Sequence, residues 1–180
     1  AGSGKTRVLT YRILHILYNK LANPSQILAV TFTNKAANEM KYRIAQLINL
    51  PVDRMWVGTF HSLSLRILRQ HHEEVGLKKN FLIIDTDDQL KLIKKICEAE
   101  RIDTKEVSAK YYLNSIDSLK NKGITIDNIK ENKYRKNDFE LRKIYRIYQS
   151  ELIRLNVVDF GDLILHCINI FQNNNNILYK

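Results

Sequence analysis

The sequence predicts an α/β fold, in which a parallel sheet is flanked by helices and an all-helical insertion follows in the second half. Three observations support this fold class. A glycine-rich loop of the phosphate-binding type opens the chain, helical and strand-like segments alternate up to residue 84, and only helical patterns follow between residues 85 and 156. The hydrophobic content of 44% is ordinary for a globular protein, and the length of 180 residues is enough to bury a core.

The first eighty residues alternate between helix and strand. The continuous apolar run at 27–32 is typical of a strand buried on both faces of a parallel sheet, and residues 55–59 are interpreted as the next strand. Each of these two segments is followed by apolar side chains at helical spacing, and Thr33-Asn34 provides a helix start. The predicted elements are a helix from residue 6 to 17, a strand at 27–32, a helix at 36–48, a strand at 55–59 and a helix at 62–72.

Two further strands and four helices are predicted in the second half, with cap and stop residues marking the helix ends. The predicted elements are a strand at 81–84, helices at 86–100, 108–122, 137–155 and 159–171, a polar loop at 173–176 and a strand at 177–179. We therefore expect a nucleotide-binding core at 1–84, a helical insertion at 85–157 and a return to the core at 158–180.

The residues A-G-S-G-K-T at 1–6 match the closing part of the phosphate-binding loop G-x-x-x-x-G-K-[ST]. Gly2 and Gly4 allow a tight turn whose N–H groups point into one concavity, at the start of a helix. Lys5 would reach the β- and γ-phosphates, and the Thr6 hydroxyl would ligate Mg²⁺. The alternative is a glycine-rich turn before an ordinary helix. Because the chain begins inside this loop and without Met, we expect it to be part of a longer protein.

Positive charge is concentrated in the half that carries this loop. The net formal charge is +10, of which residues 1–80 carry +8 and residues 81–180 carry +2. A nucleoside triphosphate needs only one or two cations, so this excess favours a polyanionic partner. The alternative is a lysine-rich composition that implies no partner. No apolar run is long enough for a membrane span, and Cys97 and Cys167 lack metal-ligand spacing, so we expect a cytoplasmic protein with buried thiols.

Two polar clusters follow predicted strands, at 31–35 and at 58–62. Ligands of parallel α/β sheets bind outside the carboxyl ends of the strands. Each cluster combines a phenylalanine, which can stack on a base, with hydroxyl groups that can bind phosphate oxygens. The sequence therefore predicts a site for single-stranded nucleic acid, although either cluster alone is more typical of the buried end of a strand.

Three stretches resemble motifs I, Ia and Ib of the UvrD/Rep/PcrA helicases of superfamily 1. They are G-S-G-K-T-R-V-L at 2–9, A-V-T-F-T-N-K-A-A-N-E-M at 29–40 and G-T-F-H-S at 58–62. V-D-F-G-D-L at 158–163 resembles the segment of that family that returns to the first core domain after its helical 1B insertion. The resemblance covers essentially the whole chain, with the motifs in the family's order and spacing.

The resemblance implies a RecA-like P-loop core, use of ATP with Mg²⁺, and 3′-to-5′ movement on DNA in repair or replication. It implies binding of single-stranded DNA and single-strand/duplex junctions, with repair or replication proteins as partners. The residues implied for nucleotide binding are Gly2, Ser3, Gly4, Lys5, Thr6 (also the Mg²⁺ ligand) and Arg7, which would pack on the adenine. Lys5 and Thr6 are the implied catalytic residues. Those implied for DNA binding are Thr31, Phe32, Thr33, Asn34, Lys35, Thr59, Phe60 and His61.

The family's acidic motif and second RecA-like domain are not among these residues, so we expect the 180 residues alone to hydrolyse ATP negligibly. Asp85, Asp159 and Asp162 are interpreted as helix caps rather than water-activating groups. The lysines at 78–79, 94–95 and 120–122 either contact duplex phosphates or are simply solvated. Three other functions stay open: the helicase part of a helicase–nuclease, a P-loop kinase acting on a small molecule, and a non-enzymatic nucleic-acid-binding module.

Overall fold

A computed structural model describes residues 4–48, 52–129 and 136–178. The described chain is helix-rich, with two small parallel sheets, and divides into two compact units at residues 66 and 67. Ala1, Gly2 and Ser3 of the phosphate-loop motif lie outside the described residues. None of the described helices is long and apolar enough to cross a membrane.

The helices and strands alternate along the first part of the chain, as the sequence predicts. In chain order the elements are α1 (Lys5–Tyr18), β1 (Leu28–Val30), α2 (Asn34–Leu47), β2 (Trp56–Gly58), α3 (Phe60–Gln70), β3 (Leu82–Ile83), α4 (Thr86–Ala99), α5 (Ala109–Asn121), α6 (Lys136–Leu155), β4 (Val157–Val158), α7 (Phe160–Asn173) and α8 (Asn175–Leu178).

In the first unit, α1 and α2 pack on each other and on the parallel pair β1–β2. Ala29 pairs with Val57, and Val30 pairs with Gly58 at the carboxyl end of both strands. Helix α2 contributes Met40 and Ile44 to the core because these side chains recur on one helix face. This packing fixes the edge at which both strands end.

In the second unit, α4, α5 and α6 enclose one core and β3 pairs in parallel with β4. Tyr112, Tyr145 and Tyr148 are buried in it. The side chain of Tyr112 donates a hydrogen bond to Glu140 at 2.8 Å. Glu140 of α6 is therefore a partner of α5.

Local cap signals locate several helix ends correctly. Thr33 caps α2 by accepting a hydrogen bond from the backbone N–H of Ala36 at 3.1 Å, and Ser108 caps α5 in the same way. Helix α5 stops before Gly123, whose φ of 70° is left-handed. Asp85 and Asp159 cap α4 and α7, so their interpretation as caps is confirmed.

The strand predicted at 177–179 is wrong for its described residues. Ile177 and Leu178 belong to α8, because their N–H groups bond back to the carbonyl of Asn174 at 3.0 and 3.2 Å. The polar loop predicted at 173–176 is also wrong, since Asn173 ends α7 and Asn175 begins α8. The strand propensity of an Ile-Leu pair is overridden here by local helical hydrogen bonds. Tyr179 lies outside the described residues.

Asn156 forms the sharp turn between α6 and β4. Its φ of 54° is left-handed, a conformation that asparagine tolerates better than most residues. Its side-chain oxygen accepts a hydrogen bond from the N–H of Lys78 at 2.8 Å, and its amide donates to Asn80 at 3.3 Å. Its backbone carbonyl accepts from the N–H of Leu82, next to the β3–β4 pair. One residue therefore connects the end of α6 to the segment that precedes β3.

Candidate nucleotide and nucleic-acid site

Gly4 is the N-cap residue that precedes α1, and its φ of 68° is left-handed. A Cβ atom at this position would meet nothing within 4 Å, so the backbone angle itself is what requires glycine. Helix α1 starts at Lys5 and has no acidic residue in its first turn. A helix N-terminus preceded by a left-handed glycine favours an anion, because its first N–H groups and the helix dipole point toward that ligand.

A cavity of about 430 Å³ lies between α1 and α2. Its lining residues are Arg7, Thr10, Tyr11, Arg43, Gln46 and Leu47. The guanidinium of Arg7 lies 5.7 Å from the centroid of the Tyr11 ring, within the range of a cation–π contact. The hydroxyl of Thr10 donates a hydrogen bond to the backbone carbonyl of Thr6 at 2.8 Å, so this bond does not involve the Thr6 hydroxyl. Arg7, which the sequence associates with adenine, therefore lies on the wall of a cavity.

At the end of β1, the hydroxyl groups support the backbone and the aromatic ring is fully exposed. Thr31 donates its hydroxyl hydrogen to the carbonyl of Thr33 at 3.0 Å, and its N–H bonds to the carbonyl of Gly58 at 2.9 Å. The Thr33 hydroxyl caps α2. Phe32 makes no use of its apolar surface within the fold, because its side chain is fully exposed. The alternative of a buried strand end is therefore wrong for Phe32.

The end of β2 repeats this arrangement. The N–H of Thr59 donates to the Ser62 hydroxyl oxygen at 2.9 Å, and the N–H of Ser62 donates back to the Thr59 hydroxyl oxygen at 3.2 Å. This reciprocal pair starts α3 at Phe60, two residues before the predicted helix start. The Phe60 side chain is 64% exposed. Here too the hydroxyl groups fix the turn and an aromatic ring is presented to solvent.

Residues 31–35 and 58–62 each join the end of a strand to the start of a helix, and we call them the two junctions. They lie at one edge of the sheet, since β1 and β2 are parallel neighbours and Val30 is in register with Gly58. Asn34 and Lys35 begin α2 at this edge and are exposed, while His61 lies in the first turn of α3. The structure therefore brings together the residues that the sequence associates with single strands.

Arg66 is a supporting residue that the sequence analysis missed. It donates from its guanidinium to the carbonyl of Met55 at 3.1 Å, and the guanidinium lies 4.0 Å over the Trp56 ring. These contacts hold α3 against the residues that lead into β2. Trp56 is half-buried, and the guanidinium of Arg66 covers its ring. Arg66 lies four residues after Ser62 and therefore on the same face of α3, and this spacing is the signal in the sequence that could have identified it.

The sequence also missed a charged cluster within the second unit. Lys120 of α5 contacts Asp159 at 2.6 Å and Asp162 at 2.7 Å, and all three side chains have no exposed area. For Lys120, phosphate contact and simple solvation are therefore both wrong. Burial raises the pKa of the neighbouring Asp117 carboxyl, and the charge of Asp159 raises it further. In the described residues, no group of three or more His, Cys, Asp or Glu side chains could hold a metal ion.

His166 makes the stability of the second unit dependent on acid. Burial lowers the pKa of this imidazole, Asp162 opposes the shift, and Lys120 adds to it. The unfolded chain therefore binds the proton first, so stability is intact above about pH 6.5 and falls as the pH drops toward the folded-state pKa. Protonation of His166 in the unfolded chain lowers the free energy of unfolding by up to about 1.4 kcal/mol for each pH unit in that window. We expect His166→Gln to remove this pH dependence. Urea unfolding of both proteins between pH 8 and pH 5 would check this, and parallel curves would contradict it.

The whole chain, residues 1–180, matches the family model described as the UvrD/REP helicase N-terminal domain. It is 42% identical over 175 residues to a protein of Staphylococcus epidermidis named ATP-dependent DNA helicase PcrA. It is 41% identical over 172 residues to a protein of the same name from Staphylococcus aureus. Each match covers 96% of this chain and 24% of the relative, so the chain spans about a quarter of the length of these relatives. The chain belongs to the UvrD/REP helicase N-terminal domain family.

Proposed function

We propose that this chain is part of an ATP-dependent DNA helicase that moves 3′ to 5′. In this proposal the chain binds both ATP with Mg²⁺ and single-stranded DNA. The observation that supports it best is the pair of exposed rings, Phe32 and Phe60, at one edge of the sheet. The names of the relatives support the reaction class. The proposed organisation is a RecA-like core at 1–84 and 158–180, with residues 85–157 as its helical insertion.

The proposed binding of ATP is argued from the residues at the start of α1. Gly4 has the left-handed conformation that a phosphate-binding loop needs, and the first turn of α1 has no acidic residue to repel phosphates. The residues present therefore fit a nucleoside triphosphate. Lys5 would hold the β- and γ-phosphates and the Thr6 hydroxyl would hold Mg²⁺, which neutralises charge on the phosphates. Arg7 and Tyr11 would offer flat, cationic and aromatic surface to the base.

The proposed binding of single-stranded DNA is argued from the aromatic rings that the two junctions leave exposed. Base–aromatic stacking contributes about 1–3 kcal/mol per base and tolerates any sequence, because every base has a π face. The hydroxyl groups of Thr33 and Thr59 already serve the turns, so they fix the backbone next to the two rings. Lys35 adds positive charge at the same edge for the sugar–phosphate backbone. This division favours binding of single strands without sequence preference.

We expect Phe32→Ala and Phe60→Ala each to weaken binding of a fluorescent oligo-dT by about 5- to 150-fold. Neither change should lower stability much, because both side chains are exposed. Anisotropy titrations at a fixed salt concentration give the affinities. Phe139→Ala is the matched control, since it removes a 74% exposed phenylalanine from α6. Equal affinities for the wild type and both variants would rule out the stacking role.

A further inference from the structure

The second unit contains a buried ionic cluster, formed by Lys120 of α5 with Asp159 and Asp162 at the start of α7. One cation and two carboxylates with no exposed area carry a large desolvation penalty. Replacing such a group by apolar residues of similar volume is often neutral or stabilising, so stability alone is a weak reason for it. The geometry of the cluster points to another role.

Every carboxylate oxygen of the cluster accepts a hydrogen bond. Lys120 donates to one oxygen of each aspartate, Tyr148 donates to Asp159 at 3.0 Å, and Gln149 donates to Asp162 at 3.1 Å. The two remaining oxygens accept from the backbone N–H groups of Asp162 at 2.9 Å and Asp159 at 3.4 Å. The N-terminus of α7 also favours negative charge. All four carboxylate oxygens are therefore paired, and among the described residues the Oε1 atom of Gln149 is the atom of this network that is buried without a hydrogen-bond partner. Buried charges paired in this way rigidify a core and select one packing.

The same site is sterically selective. A Cβ atom at Gly161 would lie 3.1 Å from both Cβ and Cδ of Lys120, so the lysine stem passes directly over this glycine. Apart from His166, the buried side chains of α7 outside the cluster are apolar or weakly polar, and they include Leu163 and Ile170. Apolar contacts alone would tolerate a shift of α7 by one helical turn, about 5.4 Å. Such a shift would separate both carboxylates from Lys120 and place a side chain over its stem.

We propose that the buried ionic cluster is a registry device, which selects a single docking of α7 on α5 and α6. It acts by making every other placement leave buried charges unpaired. The chain thereby returns from α6 through β4 into α7 at one defined position. This role concerns the second unit and does not depend on the proposed binding of ATP or DNA.

The test removes the charges in two ways. Lys120→Met leaves two carboxylates buried without their cation, and we expect the folding equilibrium constant to fall by at least about a hundredfold. Lys122→Met, an exposed lysine at the end of the same helix, is the matched control and should change it less than about threefold. The triple variant Lys120→Met/Asp159→Asn/Asp162→Asn removes all three charges and keeps an asparagine cap. It should recover most of the lost stability.

The triple variant also separates registry from stability, even if Lys120→Met does not fold. We expect the amide resonances of α7 to broaden or double in its ¹H–¹⁵N NMR spectrum, and its amide exchange to quicken, while α4 keeps the wild-type pattern. A triple variant with one sharp set of α7 resonances and wild-type exchange would overturn the proposal. So would a Lys120→Met variant as stable as the Lys122→Met control.

Discussion

ATP hydrolysis by the protein that carries this chain is expected to rise strongly with single-stranded DNA and to be lost in Lys5→Ala. Removing one preorganised group that stabilises transition-state charge typically lowers kcat by about 10²- to 10³-fold. The expectation follows from the G-K-T motif at 4–6 and from the left-handed Gly4 that starts α1. Steady-state phosphate release with and without oligo-dT gives both numbers.

Arg12→Ala is the control for this experiment, since it removes an exposed cation from the same helix. It should keep both the basal rate and the stimulation by DNA. Turnover that is indifferent to DNA, yet still lost in Lys5→Ala, would exclude the motor reaction and favour a P-loop enzyme acting on a small molecule. Full activity in Lys5→Ala would exclude the phosphate loop itself as the nucleotide site.

Gly58→Ala is expected to destabilise the first unit and to distort the DNA-binding edge. A Cβ atom at this buried position would lie 2.5 Å from the Ser62 hydroxyl oxygen and 3.2 Å from Cγ of Leu63. The Ser62 hydroxyl would have to rotate away and give up its hydrogen bonds with the N–H, the hydroxyl and the carbonyl of Thr59. Loss of the cap and crowding together should cost about 2–4 kcal/mol. Urea unfolding followed by the fluorescence of Trp56, the single tryptophan, would report on this unit.

A double-mutant cycle identifies the cause. Ser62→Ala removes the hydroxyl oxygen that the new methyl group would meet, so Gly58→Ala should cost clearly less in that background. Additive costs would show that the clash with Ser62 is not the reason. We also expect Gly58→Ala to weaken binding of oligo-dT, because Phe60 lies between Thr59 and Ser62 in the disturbed turn.

Signals that are local in sequence predicted much of this fold. Ser108 and Gly123 locate the two ends of α5 because a helix cap and a left-handed stop each depend on a few neighbouring residues. The two aromatic junctions could be predicted for the same reason, since each combines a strand end with a helix start. The exposure of Phe32 could not be predicted from its own cluster, because a phenylalanine after an apolar run is more typical of a buried strand end.

The buried ionic cluster illustrates what local signals omit. Lys120 and its two partners are 39 and 42 residues apart, so nothing near Lys120 distinguishes it from the exposed Lys122. Strand β4 was also missed, because its two residues become a strand only by pairing with β3. Both features depend on tertiary contacts, whereas propensity describes only neighbours along the chain.

The turn at Asn156 has a consequence for the order of folding. It bonds to Lys78 across 78 residues of sequence, and most of the residues between them are helical. Closing so long a loop costs conformational entropy before the contact can repay it, whereas α4, α5 and α6 form from contacts close in sequence. We therefore expect the β3–β4 pair to form late, after the helices have brought its two strands within reach. On this expectation, the two segments that border the helical region are joined only once that region has folded.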